Sequence, residues 1–292
     1  MTSPASPTTE PPVFELSPTL QIPPAAGLEQ NQVLPFSTAN FKKAVTDRLR
    51  ALDNGDDTQL WIVFSGFDHS KLKYIDQRRY PIRLQLDDSI LIVKMVGRVQ
   101  ELMHNCLMAL IQEEMWRIGI RPGYNYFSLG SSRCQHSSNN SFREADSTLA
   151  PIYPQPWPAL VIEAGWIETL ARLRINAQWW LSAQVPPNNT TLVILASFTK
   201  SQRTFRLEKY ELVTVARSVT RSVPLGVRNL AMCTAVTTID LRSTPPIITG
   251  APFVLPFAGI MRRPPIAPER DVSISAADLE AWAMAIVRTW NL

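Results

Sequence analysis

Two stretches of the sequence decide the fold and carry its chemistry: READSTLAP at 143–151 and WPALVIEAG at 157–165. The second is a continuous apolar run that predicts a buried strand ending at Glu163. The first overlaps the segment 142–149, which predicts a short strand containing Asp146. Antiparallel neighbours so close in sequence would bring both carboxylates to one end of a sheet. Such a pair binds a hard divalent cation such as Mg²⁺ through oxygen, or it is simply solvated or salt-bridged.

Helix and strand patterns alternate on both sides of these stretches. A long helix is predicted from an N-cap at Asp88-Ser89 to Gly119, because apolar residues recur every three to five positions. These positions are Leu91, Met95, Val99, Leu102, Cys106, Leu110 and Met115. Further along, the patterns predict a helix over about 166–183 and strands over 124–130, 191–198 and 203–215. The order over about 88–215, helix, three strands, helix and strand, indicates an α/β core in which helices flank a mixed sheet of four to five strands.

The flanking regions are expected to extend this core into one domain over 36–292. Before the core, the patterns predict a helix over 41–52 and strands over 60–64 and 80–86. After it they predict a strand over 233–241 and a final helix, capped at Ser275 and reaching Trp290. Residues 1–35 hold eight of the 24 prolines, so we expect a disordered tail there.

Composition limits the classes of protein and of partner. The 292 residues are 45% hydrophobic but contain no apolar run long enough to cross a membrane, and we find no secretory leader. The three widely spaced cysteines cannot form a disulfide framework, which favours the cytoplasm or nucleus. Residues 1–41 carry three Glu and no Lys or Arg, so the remainder, with 29 basic and 22 acidic residues, has a net charge of +7. This balance suits a polyanion such as nucleic acid, or serves solubility alone.

The deciding stretches resemble a widespread set of uncharacterised fungal proteins. In those proteins a "KEADS…P" segment precedes "WPtlviEvGwSEs" and then "L…da.wWl". This chain has READSTLAP, WPALVIEAGWIET and, at 173–181, LRINAQWWL in the same order, and RLEKYE at 206–211 looks like the later strand. The fungal proteins are similar to the PD-(D/E)XK nuclease superfamily, which has a restriction-endonuclease-like core of helix, three strands, helix and strand. The resemblance covers roughly 88–215.

The resemblance implies roles for single residues. Asp146 matches the aspartate of "PD" and Glu163 the acid of "(D/E)XK", which makes both of them ligands of a catalytic Mg²⁺. The motif lysine would stand at position 165, where this chain has Gly165. Asn176 stands where relatives often carry an acid, and Glu101 on the long helix is the first candidate for an additional acid of the kind that the superfamily sometimes supplies there.

Basic residues complete the list of candidates and leave two classes of function open. Arg143, Arg174, Lys200 and Arg203 are candidates for binding a nucleic-acid backbone, with surface solubility or edge protection as the alternative. The first function is Mg²⁺-dependent hydrolysis of DNA or RNA phosphodiesters. The second is a degenerate module that binds nucleic acid or protein without cleavage. A Lys, Arg or Gln amine within hydrogen-bond reach of the acid pair would favour the enzyme. The oligomeric state is not predicted.

Overall fold

The described part of the chain contains two large β-sheets with helices packed against them and one small two-stranded sheet. In the computed structural model, the described residues are 14–15, 26–28, 31–56, 59–75, 79–153, 157–165, 170–216 and 227–290.

The helices and strands of the described ranges follow each other in chain order. The helices are α1 (Thr38–Asp53), α2 (Arg98–Arg117), α3 (Leu170–Ser182), α4 (Phe257–Met261) and α5 (Ala276–Trp290), with a 3₁₀-helix at His69–Tyr74. The strands are β1 (Phe14–Glu15), β2 (Val33–Pro35), β3 (Trp61–Ser65), β4 (Ile82–Asp87), β5 (Ile90–Met95), β6 (Tyr126–Ser128), β7 (Arg133–Gln135), β8 (Phe142–Glu144), β9 (Ser147–Pro151), β10 (Leu160–Gly165), β11 (Leu192–Thr199), β12 (Thr204–Ala216), β13 (Val227–Asp240), β14 (Ile247–Thr249), β15 (Phe253–Leu255) and β16 (Val272–Ile274).

The main sheet is mixed and is covered on both faces. Its strand order is β1-β13-β12-β11-β10-β9-β6, with β14 also paired to β13. Strands β10 and β11 are parallel, whereas β9 pairs with β10 in antiparallel register. Alternate residues of β10 enter different clusters: Leu160 and Ile162 pack with α2 and α5, and Val161 packs with α3. The uninterrupted apolar pattern of β10 follows from this burial on both faces.

The second sheet has the order β2-β3-β5-β4-β8-β7 and packs against α1. Phe41 and Val45 of α1 join a core cluster with residues of β3, β4 and β5. Strands β15 and β16 form a separate two-stranded sheet. The expectation of an α/β fold with a mixed sheet and flanking helices is confirmed, but the main sheet has eight described strands and not four to five. The strands predicted over 60–64 and 80–86 do not extend it. They form a second sheet instead.

The predicted start of the long helix is wrong. Residues 90–95 form β5, and α2 begins only at Arg98, after an N-cap at Gly97. Asp88 adopts the left-handed conformation, with φ 53°, at the tight turn between β4 and β5, a conformation that Asp tolerates better than most residues. Leu91 and Met95 met the helical spacing because β5 is buried almost throughout, and an unbroken apolar run satisfies either period.

The segment predicted as one strand over 142–149 is two strands. Residues of β8 pair with β4 and β7 in the second sheet, whereas β9 pairs with β6 and β10 in the main sheet. Ala145 and Asp146 lie between them, where the chain crosses from one sheet to the other. Asp146 is therefore placed at the junction of the sheets and outside both ladders.

Several other expectations can be compared with the structure. The final helix is confirmed as α5. Within the Pro-rich segment 1–35, most residues lie outside the described ranges, and Val33–Pro35 forms β2 beside β3. The first turn of the helix expected over 166–183 also lies outside them, and α3 covers Leu170–Ser182. Among the described residues, no helix is long and apolar enough to cross a membrane.

Candidate functional site

Asp146, directly before β9, lies beside Glu163 of β10. Ile162 pairs with Ser147 in the antiparallel ladder, so the next residues along each strand, Glu163 and Asp146, lie opposite one another. The backbone N–H of Ala164 donates a hydrogen bond to Oδ2 of Asp146 at 2.7 Å. The expected juxtaposition of these two acids is therefore present.

Lys94 of β5 enters this pair from the second sheet. Its Nζ lies 2.8 Å from Oδ2 of Asp146, 2.9 Å from the carbonyl oxygen of Ala164 and 3.8 Å from Oε2 of Glu163. All three ionic side chains are 1% exposed. Two carboxylates and one ammonium thus form a buried ionic cluster at the junction of the sheets.

Further side chains orient each carboxylate. Gln100 in the first turn of α2 donates from Nε2 to both oxygens of Asp146, at 3.2 Å each. Trp180 of α3 donates from Nε1 to Oε1 of Glu163 at 2.7 Å. The other oxygen of Glu163, Oε2, is buried and accepts no hydrogen bond from the described residues. Asp146 is thus fully engaged, whereas Glu163 keeps one oxygen available.

The two carboxyl groups differ in their proton affinity. Burial by itself raises the pKa of Asp146, but the charges of Lys94 and His104 and the hydrogen bonds it accepts outweigh burial and hold that pKa below its ordinary value. Burial also raises the pKa of Glu163, and the charge of Asp146 adds to this effect. Lys94, Trp180 and Arg143 offset it only in part, so the pKa of Glu163 stays raised. Asp146 is therefore the ionised partner of Lys94, and Glu163 is the group that retains a proton more readily.

Asn176 lies in the same interior but contacts another residue. Its Oδ1 accepts from Nη1 of Arg143 at 2.5 Å, and Nη2 of Arg143 lies 3.3 Å from Oδ2 of Asp87. Arg143 is 3% exposed and stacks over the ring of Trp179. Burial lowers the pKa of Arg143. Asn176 of α3 therefore holds Arg143 of β8, and the charge of Arg143 acts on Glu163.

Glu101 belongs to a second polar cluster, with Arg83, His104 and Ser147. Its Oε1 accepts from Nη2 of Arg83 at 2.7 Å and lies 3.4 Å from Nε2 of His104. The other ring nitrogen of His104, Nδ1, lies 2.8 Å from Oγ of Ser147. The hydrogen bond with His104 lowers the pKa of Glu101. The residue of α2 that donates to Asp146 is Gln100, whereas Glu101 contacts Arg83 and His104.

The four basic candidates separate into two kinds. Arg174 donates twice to Glu208, at 3.0 and 2.7 Å, and Glu208 is completely buried. Arg143 is likewise engaged internally. Lys200 and Arg203 instead lie exposed in the turn between β11 and β12. The structure thus leaves Lys200 and Arg203 on the surface and places the other two arginines in internal ion pairs.

Sequence reasoning missed Lys94 and Gln100. The run ILIVKM at 90–95 did contain a signal, because a single lysine within a buried apolar strand needs a partner. That signal was hidden by the assignment of this run to a helix. Gln100 carries no comparable signal, since one polar residue in the first turn of a helix is ordinary.

The oxygens of the site suit a hard divalent cation. Within the described ranges, no three His, Cys, Asp or Glu side chains converge as a metal cage. The site nevertheless combines the carboxylate of Asp146, the carbonyl of Ala164 and the unbonded Oε2 of Glu163. Mg²⁺ is commonly held by one or two carboxylates while water completes its coordination. The donor set therefore fits Mg²⁺, with Asp146 and Glu163 as its side-chain ligands.

Comparison with models of known protein families and with curated protein sequences gives no match. What the site does must be inferred from its own side chains.

Proposed function

We propose that the protein is a PD-(D/E)XK-like nuclease that hydrolyses DNA or RNA phosphodiesters with Mg²⁺. Lys94 would supply the positive charge that is missing at Gly165. The observation that carries this proposal is the position of the Lys94 ammonium, 2.8 Å from Asp146 and 3.8 Å from Glu163. An amine within hydrogen-bond reach of the acid pair favours the enzyme, and Lys94 is within that reach of Asp146.

The connectivity of the main sheet also supports the proposal. Helix α2 is followed within this sheet by β6, β9 and β10, then by α3 and by β11 parallel to β10. This order agrees with the helix, three strands, helix and strand order that the resemblance implies. The intervening β7 and β8 belong to the second sheet. Asp146 directly precedes the second of these three strands and Glu163 lies in the third.

Each side chain has a distinct part in the proposed reaction. Asp146 and Glu163 hold the metal, while Gln100 and Trp180 fix the orientation of their carboxylates. The chemistry that a bound Mg²⁺ would supply is Lewis acidity toward the phosphodiester and toward water. Lys94 stabilises negative charge that develops on the phosphate. Lys200 and Arg203 contact the nucleic-acid backbone from the exposed turn.

The test uses the full chain with supercoiled plasmid and with labelled single strands of DNA and RNA. With Mg²⁺ or Mn²⁺ we expect nicking or degradation, and with EDTA none. Asp146→Asn and Glu163→Gln should each abolish cleavage, whereas Glu280→Gln, an exchange of the same type on α5, should leave it intact. Cleavage that is unchanged in both Asp146→Ala and Glu163→Ala would overturn the proposal.

A second candidate function is a catalytically inert module that binds nucleic acid or protein. The observation that favours it is the burial of the ionic cluster, in which Lys94, Asp146 and Glu163 are each 1% exposed. It predicts binding that persists in EDTA and no metal-dependent cleavage of any substrate in the same assays. Metal-dependent turnover that is lost in Asp146→Asn would exclude it.

A further inference from the structure

The ammonium of Lys94 lies at a point where oxygens of three residues converge. Oδ2 of Asp146 and the carbonyl oxygen of Ala164 are within hydrogen-bond distance, at 2.8 and 2.9 Å, and Oε2 of Glu163 is 3.8 Å away. Carboxylate and carbonyl oxygens are the ligands that hard divalent cations take in proteins. The Lys94 ammonium thus bonds to two of the oxygens that would bind the proposed metal.

The ammonium of Lys94 forms no hydrogen bond with Oε2 of Glu163. A separation of 3.8 Å is too long for a hydrogen bond, and Oε2 is a buried acceptor without another partner in the described ranges. An unpaired acceptor in a dry site is costly. A doubly charged ion that approaches both carboxylates at bonding distance would engage Oε2 as well.

The ammonium and a metal ion would repel each other if both were bound to Oδ2 of Asp146. Metal–oxygen bonds of Mg²⁺ are about 2.1 Å long, and Nζ is 2.8 Å from Oδ2. A cation on Oδ2 would therefore lie at most about 5 Å from Nζ. Positive charges at that range repel strongly where water is excluded.

We propose that Lys94 is an internal cation that competes with a divalent metal for the oxygens of Asp146, Glu163 and Ala164. The described arrangement is the closed form of the site, and metal binds when the ammonium withdraws. This inference rests on the proposed metal site but not on phosphodiester cleavage.

The first experiment measures Mn²⁺ binding by titration calorimetry. Lys94→Met removes the competing charge and keeps a long apolar side chain, and Lys200→Met is the matched control because it removes an exposed lysine. We expect Lys94→Met to bind one Mn²⁺ with a Kd about tenfold or more below that of the unchanged protein. Lys200→Met should bind as the unchanged protein does. Adding Glu163→Gln to Lys94→Met should reverse the gain. Equal or weaker binding by Lys94→Met would overturn the inference.

A second experiment uses the unchanged protein and does not depend on the folding of a variant. Reductive methylation modifies accessible amines, and Lys94 is 1% exposed, so it should be protected without metal. Saturating Mn²⁺ should displace the ammonium and raise the methylation rate of Lys94 several-fold, as read by peptide mass spectrometry. Exposed Lys200 should react at the same rate in both conditions. A rate at Lys94 that does not respond to Mn²⁺ would also overturn the inference.

The two proposals fail in different ways. Tighter Mn²⁺ binding by Lys94→Met without cleavage by any form of the protein would reject the nuclease and retain the competition. Metal-dependent cleavage by the unchanged protein, with no gain of Mn²⁺ affinity in Lys94→Met, would retain the nuclease and reject the competition.

Discussion

Lys94 and Asp146 form a buried ion pair that joins the two sheets, with Nζ 2.8 Å from Oδ2 and each side chain 1% exposed. Lys94 belongs to β5 of the second sheet, and Asp146 immediately precedes β9 of the main sheet. The same ammonium donates to the carbonyl of Ala164 in β10. The packing of the sheets and the state of the candidate site therefore depend on the same side chain.

The ion pair predicts a large effect of Lys94→Met on stability in the absence of metal. Removing one partner leaves Asp146 as an uncompensated buried charge, which costs about 3–5 kcal/mol. Urea denaturation at neutral pH measures the loss. Lys200→Met, which removes an exposed lysine, should change the free energy of unfolding by less than about 0.5 kcal/mol. Equal denaturation midpoints for the two variants would show that the pair contributes nothing to folding.

Asp146 should make the protein sensitive to acid. Its pKa is lowered in the folded state, so its ionised form stabilises the fold above the unfolded value of 3.8, and this contribution is lost as pH falls through the lower folded pKa. We expect Asp146→Asn to be less stable than the unchanged protein at pH 7. The difference should shrink as pH falls below 3.8. Unfolding curves across this range test it, and a difference that is constant with pH would contradict it.

Glu163 should affect the pH dependence of stability in the opposite direction to Asp146. Its pKa is raised in the folded state, so its contribution is greatest below the unfolded value of 4.5 and is lost as pH rises through the folded pKa. Glu163→Gln mimics the protonated form and can still accept from Nε1 of Trp180. We expect this variant to be more stable than the unchanged protein at pH 7 and equally stable below pH 4.5. Lower stability of Glu163→Gln at pH 7 would mean that pairing with Lys94 outweighs burial.

The acid pair could be predicted from sequence because its geometry is local. Asp146 and Glu163 lie on neighbouring antiparallel strands, and the apolar run before Glu163 identifies one of these strands. Lys94 could not be placed in the same way, since it lies 52 residues before Asp146 and reaches it only through the packing of two sheets. The position of the Lys94 ammonium is therefore set by packing between distant segments, which sequence periodicity does not reveal.

The division into two sheets was hidden for a related reason. Strand periodicity shows which residues are buried but not which strand is the hydrogen-bonding partner. Strands β8 and β9 are separated by only Ala145 and Asp146, yet they belong to different sheets. Residues 142–149 are all buried on both sides of this break, so burial does not mark it. For the same reason, sequence alone did not separate Arg174, which has an internal partner, from Lys200 on the surface.

The contrast between Arg174 and Lys200 gives a final prediction. Arg174 is bonded twice to buried Glu208, so Arg174→Gln should lower the free energy of unfolding by about 1–3 kcal/mol without changing the salt dependence of nucleic-acid binding. Lys200 is exposed, so Lys200→Gln should change stability by less than about 0.5 kcal/mol. If Lys200 contacts a phosphate, this variant should also reduce the slope of log K against log salt by about 0.7 for a single strand. Anisotropy of a labelled oligonucleotide over a series of KCl concentrations, together with urea denaturation, measures both effects. An unchanged slope in Lys200→Gln would remove this turn from the proposed nucleic-acid interface, and a reduced slope in Arg174→Gln at unchanged stability would place Arg174 in it.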